Sequence, residues 1–321
     1  MSYMQPNDEL INWLLAGDPA IRWQVMRDLQ NCPSEQIEAE RARVQHEGWG
    51  AQLLTHQDAD GLWGGGLYSP KWTATTHCLL LLKYFGATPT PPVQRACQRL
   101  LDEGLYEDGG INYFPSLDHG ETCVTGMVLA LLAYFEMDDA RILQLVDHLL
   151  TQQMADGGWN CWSFKGATHS SLHTTISVLE GLHSFTTNST YKHAEIQQAQ
   201  TRAHEFLLVH KLFRSDHTGE IIDARMTRLS FPPRWRYDVL RALDYLQMVQ
   251  FPFDERLTDG LELLLRKRRK DGKWPLQQRH TGQTFFELEQ VGKPSRWNTL
   301  RALRVLKFYQ ADFDNLSEKL S

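Results

Sequence analysis

The stretch KWTATTHCLLLLKYF, residues 71–85, decides the fold because the chain repeats it. Fifty residues on stands ETCVTGMVLALLAYF (121–135), and fifty further SLHTTISVLEGLHSF (171–185). RWRYDVLRALDYL (234–246) and RWNTLRALRVLKFY (296–309) follow, and a shorter IRWQVMRDL (21–29) opens the series. Each is apolar around most of its circumference, which a helix sustains only when it is covered on most sides. Between them run segments with a narrower apolar stripe and a charged face, near 7–16, 35–56, 90–103, 139–153, 194–212 and 254–269. In one of these, Leu143, Leu145, Val146, Leu149 and Leu150 keep the spacing of a one-sided helix. Six covered helices and six one-sided ones have a compact solution, an inner ring wrapped by an outer ring. The sequence therefore predicts an all-α (α/α)6 toroid or barrel over residues 1–321 as a single domain, with no alternating β pattern to compete.

A tag precedes the repeats: Asp60-Gly61-Leu62-Trp63, Asp108-Gly109-Gly110-Ile111, Asp156-Gly157-Gly158-Trp159 and Asp271-Gly272-Lys273-Trp274. Asp and Gly are turn residues, so the tags are expected to clamp loops rather than do chemistry.

Composition narrows the field. With 42% hydrophobic residues and a net charge of −6, the chain is neither disordered nor fibrous, and is no general nucleic-acid binder. Its longest apolar stretch, residues 127–135, is too short to span a bilayer. The start, MSYMQPNDELINWLLAGDP, carries acids where a secretory signal carries basic residues, so no export is expected. Five cysteines without a Cys-x-x-Cys pair fit a reducing cytoplasm.

Ligands of such a ring are expected where the inner helices begin, since loops and helix N-termini gather there. Aligning these helices on Leu82, Leu132, Leu182, Leu243 and Leu306 and stepping back nine residues gives Thr73, Cys123, His173, Arg234 and Trp297. Cys123 and His173 thus fall on neighbouring helices, with Glu121 two residues before the cysteine. Carboxylate, thiolate and imidazole are zinc ligands, and three of them leave a position open for chemistry. Glu121, Cys123 and His173 are accordingly the expected metal site. A metal-free alternative makes Glu121 and His173 an acid–base pair, and a plain one makes all three core residues. Residues two apart do not share a helix face, so Glu121 joins only if it precedes the regular helix. His77, His119, Cys161 and His169 lie near enough to substitute.

A second group is basic and aromatic. Arg22-Trp23, Lys71-Trp72, Arg234-Trp235 and Arg296-Trp297 open four inner helices that are contiguous around a closed ring. Arg22, Arg234 and Arg296 would bind an anion, with Trp72, Trp235 and Trp297 stacking on an apolar body. The structural alternative pairs each arginine with an acid.

The spacing Gln57-x3-Gly61-x-Trp63, repeated at Gln153-x3-Gly157-x-Trp159, resembles the Gln-Trp motif of triterpene cyclases such as squalene–hopene cyclase. The loop-to-helix pattern is also similar to the β subunits of protein prenyltransferases. Glu121-Thr122-Cys123 and His173-Thr174 match the places of the zinc ligands in that family, with Glu where it has Asp. The resemblance implies an isoprenoid or diphosphate-bearing substrate, zinc as cofactor and, for a prenyltransferase, an α-subunit partner that this chain does not contain. It departs in carrying no Asp-x-Asp-Asp acid: Glu136-Met137-Asp138-Asp139 sits at the wrong end of its helix. The chain is also about half the size of a full triterpene cyclase.

Three functions follow. The first is an enzyme acting on an isoprenoid or similar hydrophobic substrate in the ring cavity, zinc-dependent in its fullest form. The second is a toroid that holds a hydrophobic ligand without turning it over. A third, a carbohydrate-active barrel, would need two carboxylates to converge from Asp118, Glu121, Asp238 and Glu287.

Overall fold

The computed structural model describes residues 6–319, the side chains of 313–319 aside. Its α-helices are α1 (Asp8–Leu15), α2 (Pro19–Asp28), α3 (Ser34–Ala42), α4 (Gly48–Leu54), α5 (Thr75–Phe85), α6 (Pro91–Asp102) and α7 (Thr122–Tyr134). They continue with α8 (Ile142–Thr151), α9 (Leu172–Thr186), α10 (His193–Val209), α11 (Val239–Met248), α12 (Thr258–Arg266) and α13 (Arg296–Lys319). Helices α2, α5, α7, α9, α11 and α13 form the inner ring. No helix among the described residues is long and apolar enough to cross a membrane.

Ring closure is visible in bonds between the first and last inner helices. The Arg304 guanidinium donates to Gln24 Oε1 at 3.1 Å and to Asp28 at 3.2 Å, while Lys307 Nζ reaches the Asp28 carbonyl at 2.9 Å. At the centre of the ring, every residue of α7 from Thr122 to Leu132 is buried. α7 approaches α9 through glycine: a Cβ on Gly126 would lie 2.8 Å from the Ser177 carbonyl, and one on Gly181 2.4 Å from the Gly126 carbonyl.

The tags clamp, as their chemistry predicts. Indole Nε1 of Trp63, Trp159 and Trp274 donates to the carbonyls of Leu53, Leu149 and Leu264 at 2.9, 2.7 and 2.7 Å, closing the end of the preceding outer helix each time. Gln57 and Gln153 donate to Gly61 and Gly157 at 2.8 and 2.7 Å. Where Ile111 replaces the indole, Tyr113 donates its hydroxyl to Leu100 instead, at 2.7 Å. The tag N–H groups at 63, 111, 159 and 274 are each received by a threonine of the next inner helix: Thr75, Thr125, Thr175 and Thr299.

Two expected elements are redrawn. The outer segment 35–56 is broken into α3 and α4, because Asp18, which caps α2, also accepts the N–H of Trp49 at 2.7 Å. The inner segment 234–246 starts late, at Val239, where Asp238 accepts the Arg241 N–H at 2.9 Å as N-cap. Arg234 and Trp235 therefore precede the helix, and Arg234 has φ 59°, in the left-handed region.

Candidate functional site: the ring mouth

At the start of α7, Glu121 stands in an extended N-cap conformation, outside the regular helix, and Cys123 is the second helical residue. That meets the condition for the two side chains to share a site. Cys123 Sγ donates to Glu121 Oε1 at 3.4 Å. The third member is Cys161, from the loop between α8 and α9. Its sulfur accepts from the Cys123 N–H at 3.1 Å and from Thr174 Oγ1 at 3.4 Å. Ligand atoms of Glu121, Cys123 and Cys161 all lie within 4.8 Å of one another. The hydrogen bond to Cys161, then burial, pushes the Cys123 thiol well up. Burial raises the Glu121 carboxyl against the pull of Cys123 and Lys71.

His173, expected as the third ligand, is turned elsewhere. Its Nδ1 accepts the Tyr237 N–H at 2.8 Å, and its ring packs edge-on to Trp235 at 5.6 Å. An imidazole that accepts through Nδ1 carries its hydrogen on Nε2, so it has no lone pair to offer a metal. Burial, then Arg236 and Arg241, lowers its pKa to about 4, so at neutral pH it carries no imidazolium proton to give as an acid, and the lone pair a base would use is taken by the Tyr237 N–H. Cys161 takes its place because Thr174, next to His173 on α9, draws that sulfur to the mouth.

Beside the trio lies a cationic, aromatic wall. The exposed Lys71 ammonium is 5.9, 5.8 and 5.6 Å from the rings of Tyr68, Trp72 and Trp235. Burial, then the charges of Cys123, Glu121 and Cys161, raises the Tyr68 phenol well above its ordinary range. Residues 279–290 fold across this wall. Trp72 N–H donates to Gln283 at 2.6 Å, Gln283 N–H to Lys71 at 2.8 Å, and Trp72 Nε1 to the His280 carbonyl at 3.1 Å. Phe285 stacks on His56 with ring centres 4.3 Å apart. Beneath this segment is a cavity of about 40 Å³, lined by Trp72, Phe231, Arg234, His280 and Phe285 among others.

The contiguous arc of arginines does not form. Trp72, Arg234 and Trp235 reach the mouth, whereas Arg22, Arg296 and Trp297 do not. Arg22 is held by Glu40 at 2.6 Å and by the Gly17 carbonyl at 2.8 Å. Arg296 donates to the Trp13 carbonyl at 3.0 Å and lies over the Trp13 ring. Trp297 is core, stacked on Phe231 at 4.1 Å. Because the four pairs sit at different helical positions, their side chains point in different directions.

The carboxylates of the carbohydrate reading do not converge either. Asp118 is almost wholly exposed beside His119, Asp238 is a buried cap, and Glu287 is paired with Arg279. Asp139 is held by Arg141 and accepts that residue's N–H at 2.9 Å, a turn role.

The opposite end of the ring holds what the sequence reading overlooked, an open polar basin of about 640 Å³ lined by all six inner helices. Its arginines are paired, Arg241 with Glu180 at 2.7 Å and Arg301 and Arg304 with Asp244 at 2.9 and 2.5 Å, whereas the half-buried Lys83 meets, among the described residues, only the Tyr134 ring, at 5.7 Å. The signal was present as charged residues on otherwise covered helices, Lys83, Glu180, Asp244, Arg301 and Arg304. A packing contact of Tyr84 on Phe231, ring centres 5.8 Å apart, separates the basin from the mouth cavity.

No family model matches the chain, and no curated protein does. Among solved structures it is similar to a protein from Actinoplanes, with TM-score 0.47, 18% identity and 90% and 89% of the two chains covered. It is also similar to the type II terpene cyclase MstE from Scytonema. A variant bound to its substrate, geranylgeranyl dihydroxybenzoate, gives TM-score 0.46, 16% identity and 92% and 88% coverage. A second MstE variant without ligand gives 0.47, 17%, 92% and 88%. These identities transfer no residue role to this chain.

Proposed function

We propose that the chain is a zinc-dependent enzyme of the ring mouth that acts on a hydrophobic substrate. One observation carries this reading: a carboxylate and two sulfurs, all within 4.8 Å of one another, meet at the end where the inner helices begin. Two thiolates and a carboxylate suit zinc and leave a fourth position free, as catalytic zinc sites do. Bound there, zinc would supply Lewis acidity or lower the pKa of a coordinated nucleophile. The protein's own part is to orient and to exclude water. Lys71 offers a cation at the rim, Tyr68, Trp72 and Trp235 offer apolar faces, and His173 fixes the loop at Tyr237 through its neutral ring.

The size of the mouth cavity bears on the substrate. Pockets that engulf a drug-sized ligand measure about 300–1,000 Å³, against about 40 Å³ beneath residues 279–290. An isoprenoid substrate would therefore lie along the open mouth, or displace that segment, rather than fill the ring. Metal analysis tests the reading. Protein prepared with zinc is expected to hold one ion per chain, to lose it in Cys123→Ala and Cys161→Ala, and to keep it in His173→Ala. Zinc absent from every preparation ends the proposal. Zinc lost in Cys123→Ala and His173→Ala but kept in Cys161→Ala would restore the ligand set expected from sequence. Metal without turnover of any apolar substrate would favour the binding toroid.

A further inference from the structure

Three arginines of the inner ring and its loops are buried, with 3%, 4% and 5% of their surface exposed: Arg241, Arg301 and Arg234. Arg241 faces Glu180 and Arg301 faces Asp244. Among the described residues Arg234 has neither an ion pair nor a hydrogen bond, and its Nη1 is buried without a partner. An unpaired buried charge costs several kcal/mol. Only a face-on approach to Trp72, 5.2 Å from guanidinium carbon to ring centre, offsets part of that cost. Burial lowers the Arg234 pKa to about 10, so the group stays charged at neutral pH.

Arg234 lines the mouth cavity with Trp72, Leu81, Phe231, Phe285 and the His280 imidazole. Three further charged residues join them: Arg279, Glu287 and Glu289, the last accepting from the Ser295 hydroxyl and the Arg296 N–H. His280 Nε2 is likewise buried without a partner. Burial, then Arg236 and Arg234, lowers its pKa to about 4, so it is neutral and able to donate one hydrogen bond. The nearest acid of the covering segment, Glu287, is committed to Arg279.

We infer that this cavity is a receptor for a carboxylate carried on an apolar body, with the Arg234 guanidinium as its counter-ion. The planar fork of arginine matches a carboxylate through two parallel hydrogen bonds. Charge and size point the same way. With Arg279 neutralised by Glu287, one unpaired cation beside a neutral imidazole suits a monoanion. The volume, about 40 Å³, equals roughly three waters at about 10–15 Å³ each, room for a carboxylate and its first carbons but not for a diphosphate. The apolar remainder would run along Phe231 and Phe285. This deepens the proposed reading by naming the substrate's class, yet it needs no metal.

The test is isothermal titration in EDTA, so that failure of the zinc site and failure of this site are read separately. The probes are octanoate, octanol and octyl phosphate. Wild type is expected to bind octanoate at least tenfold more tightly than octanol, and more tightly than octyl phosphate. Arg234→Met is expected to erase the preference over octanol, and Arg234→Lys to retain only part of it. Without ligand, Arg234→Met is expected to melt no lower than wild type, since it removes a lone buried charge. Equal binding of octanoate and octanol, tighter binding of the phosphate, or no binding at all overturns the inference. So does a large fall in melting temperature without change in the preference, which would mark Arg234 as structural. Should Arg234→Met not fold, the lysine variant decides by the same preference.

Discussion

The two ends of one ring treat buried arginine in opposite ways. At the basin, where the inner helices finish, Arg241, Arg301 and Arg304 each meet a carboxylate of a neighbouring inner helix. At the mouth, where they begin, Arg234 meets none, and Cys123 bonds both Cys161 and Glu121. Paired charges lock helices to one another. Unpaired ones are a standing cost, of the kind a folded chain retains where a ligand makes it good. The contrast teaches that the basin's polarity is largely architectural and the mouth's is chemical, although the basin has the greater volume.

The largest expected effect breaks this comparison most directly. Asp244→Ala strands Arg301, leaves Arg304 with Asp28 as its one acid, and should cost about 3–5 kcal/mol in chemical denaturation, as expected when a buried charge loses its partner. The matching change at the mouth, Arg234→Met, should cost nothing. If both variants are equally destabilised, the two ends do not differ.

Acid should strip the two ends in sequence. His77 is fully buried between Tyr68 and Trp72, and burial, then Arg234 and Lys71, lowers its pKa to about 3. Its folded pKa lies below the unfolded value, so the unfolded chain takes up the proton first and stability falls as pH drops below about 6.5. At pH 5 the loss assigned to His77 is about 2 kcal/mol, and His77→Phe should flatten that part of the profile. His173, His204 and His280 act with the same sign. For Asp244, burial would raise the pKa, but Arg304 and Arg301 prevail and lower it. Its contribution is therefore present above the unfolded carboxyl range and lost only in stronger acid. Stability measured from pH 7 to pH 3 in both variants separates the phases, and a profile unchanged by His77→Phe would remove the mouth's share.

The smallest effect concerns the arginine arc. Arg22→Gln should leave octanoate titration unaltered and cost about 1 kcal/mol or less, as expected for a partly exposed pair with Glu40. A change in ligand affinity would return Arg22 to the mouth.

How much of this could be read beforehand differs from element to element. The 50-residue repeat of covered helices, the clamping tags and the neighbourhood of Glu121 and Cys123 were legible, because periodicity and turn chemistry are local and the repeat fixes which helices adjoin. The late start of α11 was less so, since Arg234-Trp235 copies the Arg-Trp pairs elsewhere while Asp238 alone chooses the helix start. The polar basin was missed because attention went to the helix starts, although Lys83, Glu180, Asp244, Arg301 and Arg304, charged residues within the covered helices, pointed to it.

By itself, then, the sequence determined an all-α ring, its order of helices and the placing of an acid and a cysteine at one entrance. Only the tertiary structure decided that Cys161 rather than His173 completes the trio, and that Arg234 alone among the expected arginines turns inward without a partner. The reason is physical. Helix faces follow from spacing along the chain, but a side chain leaving an irregular loop takes its direction from whatever meets it. Here that is the Tyr237 N–H at His173, and for Trp72, the wall beside Arg234, a carbonyl 208 residues away.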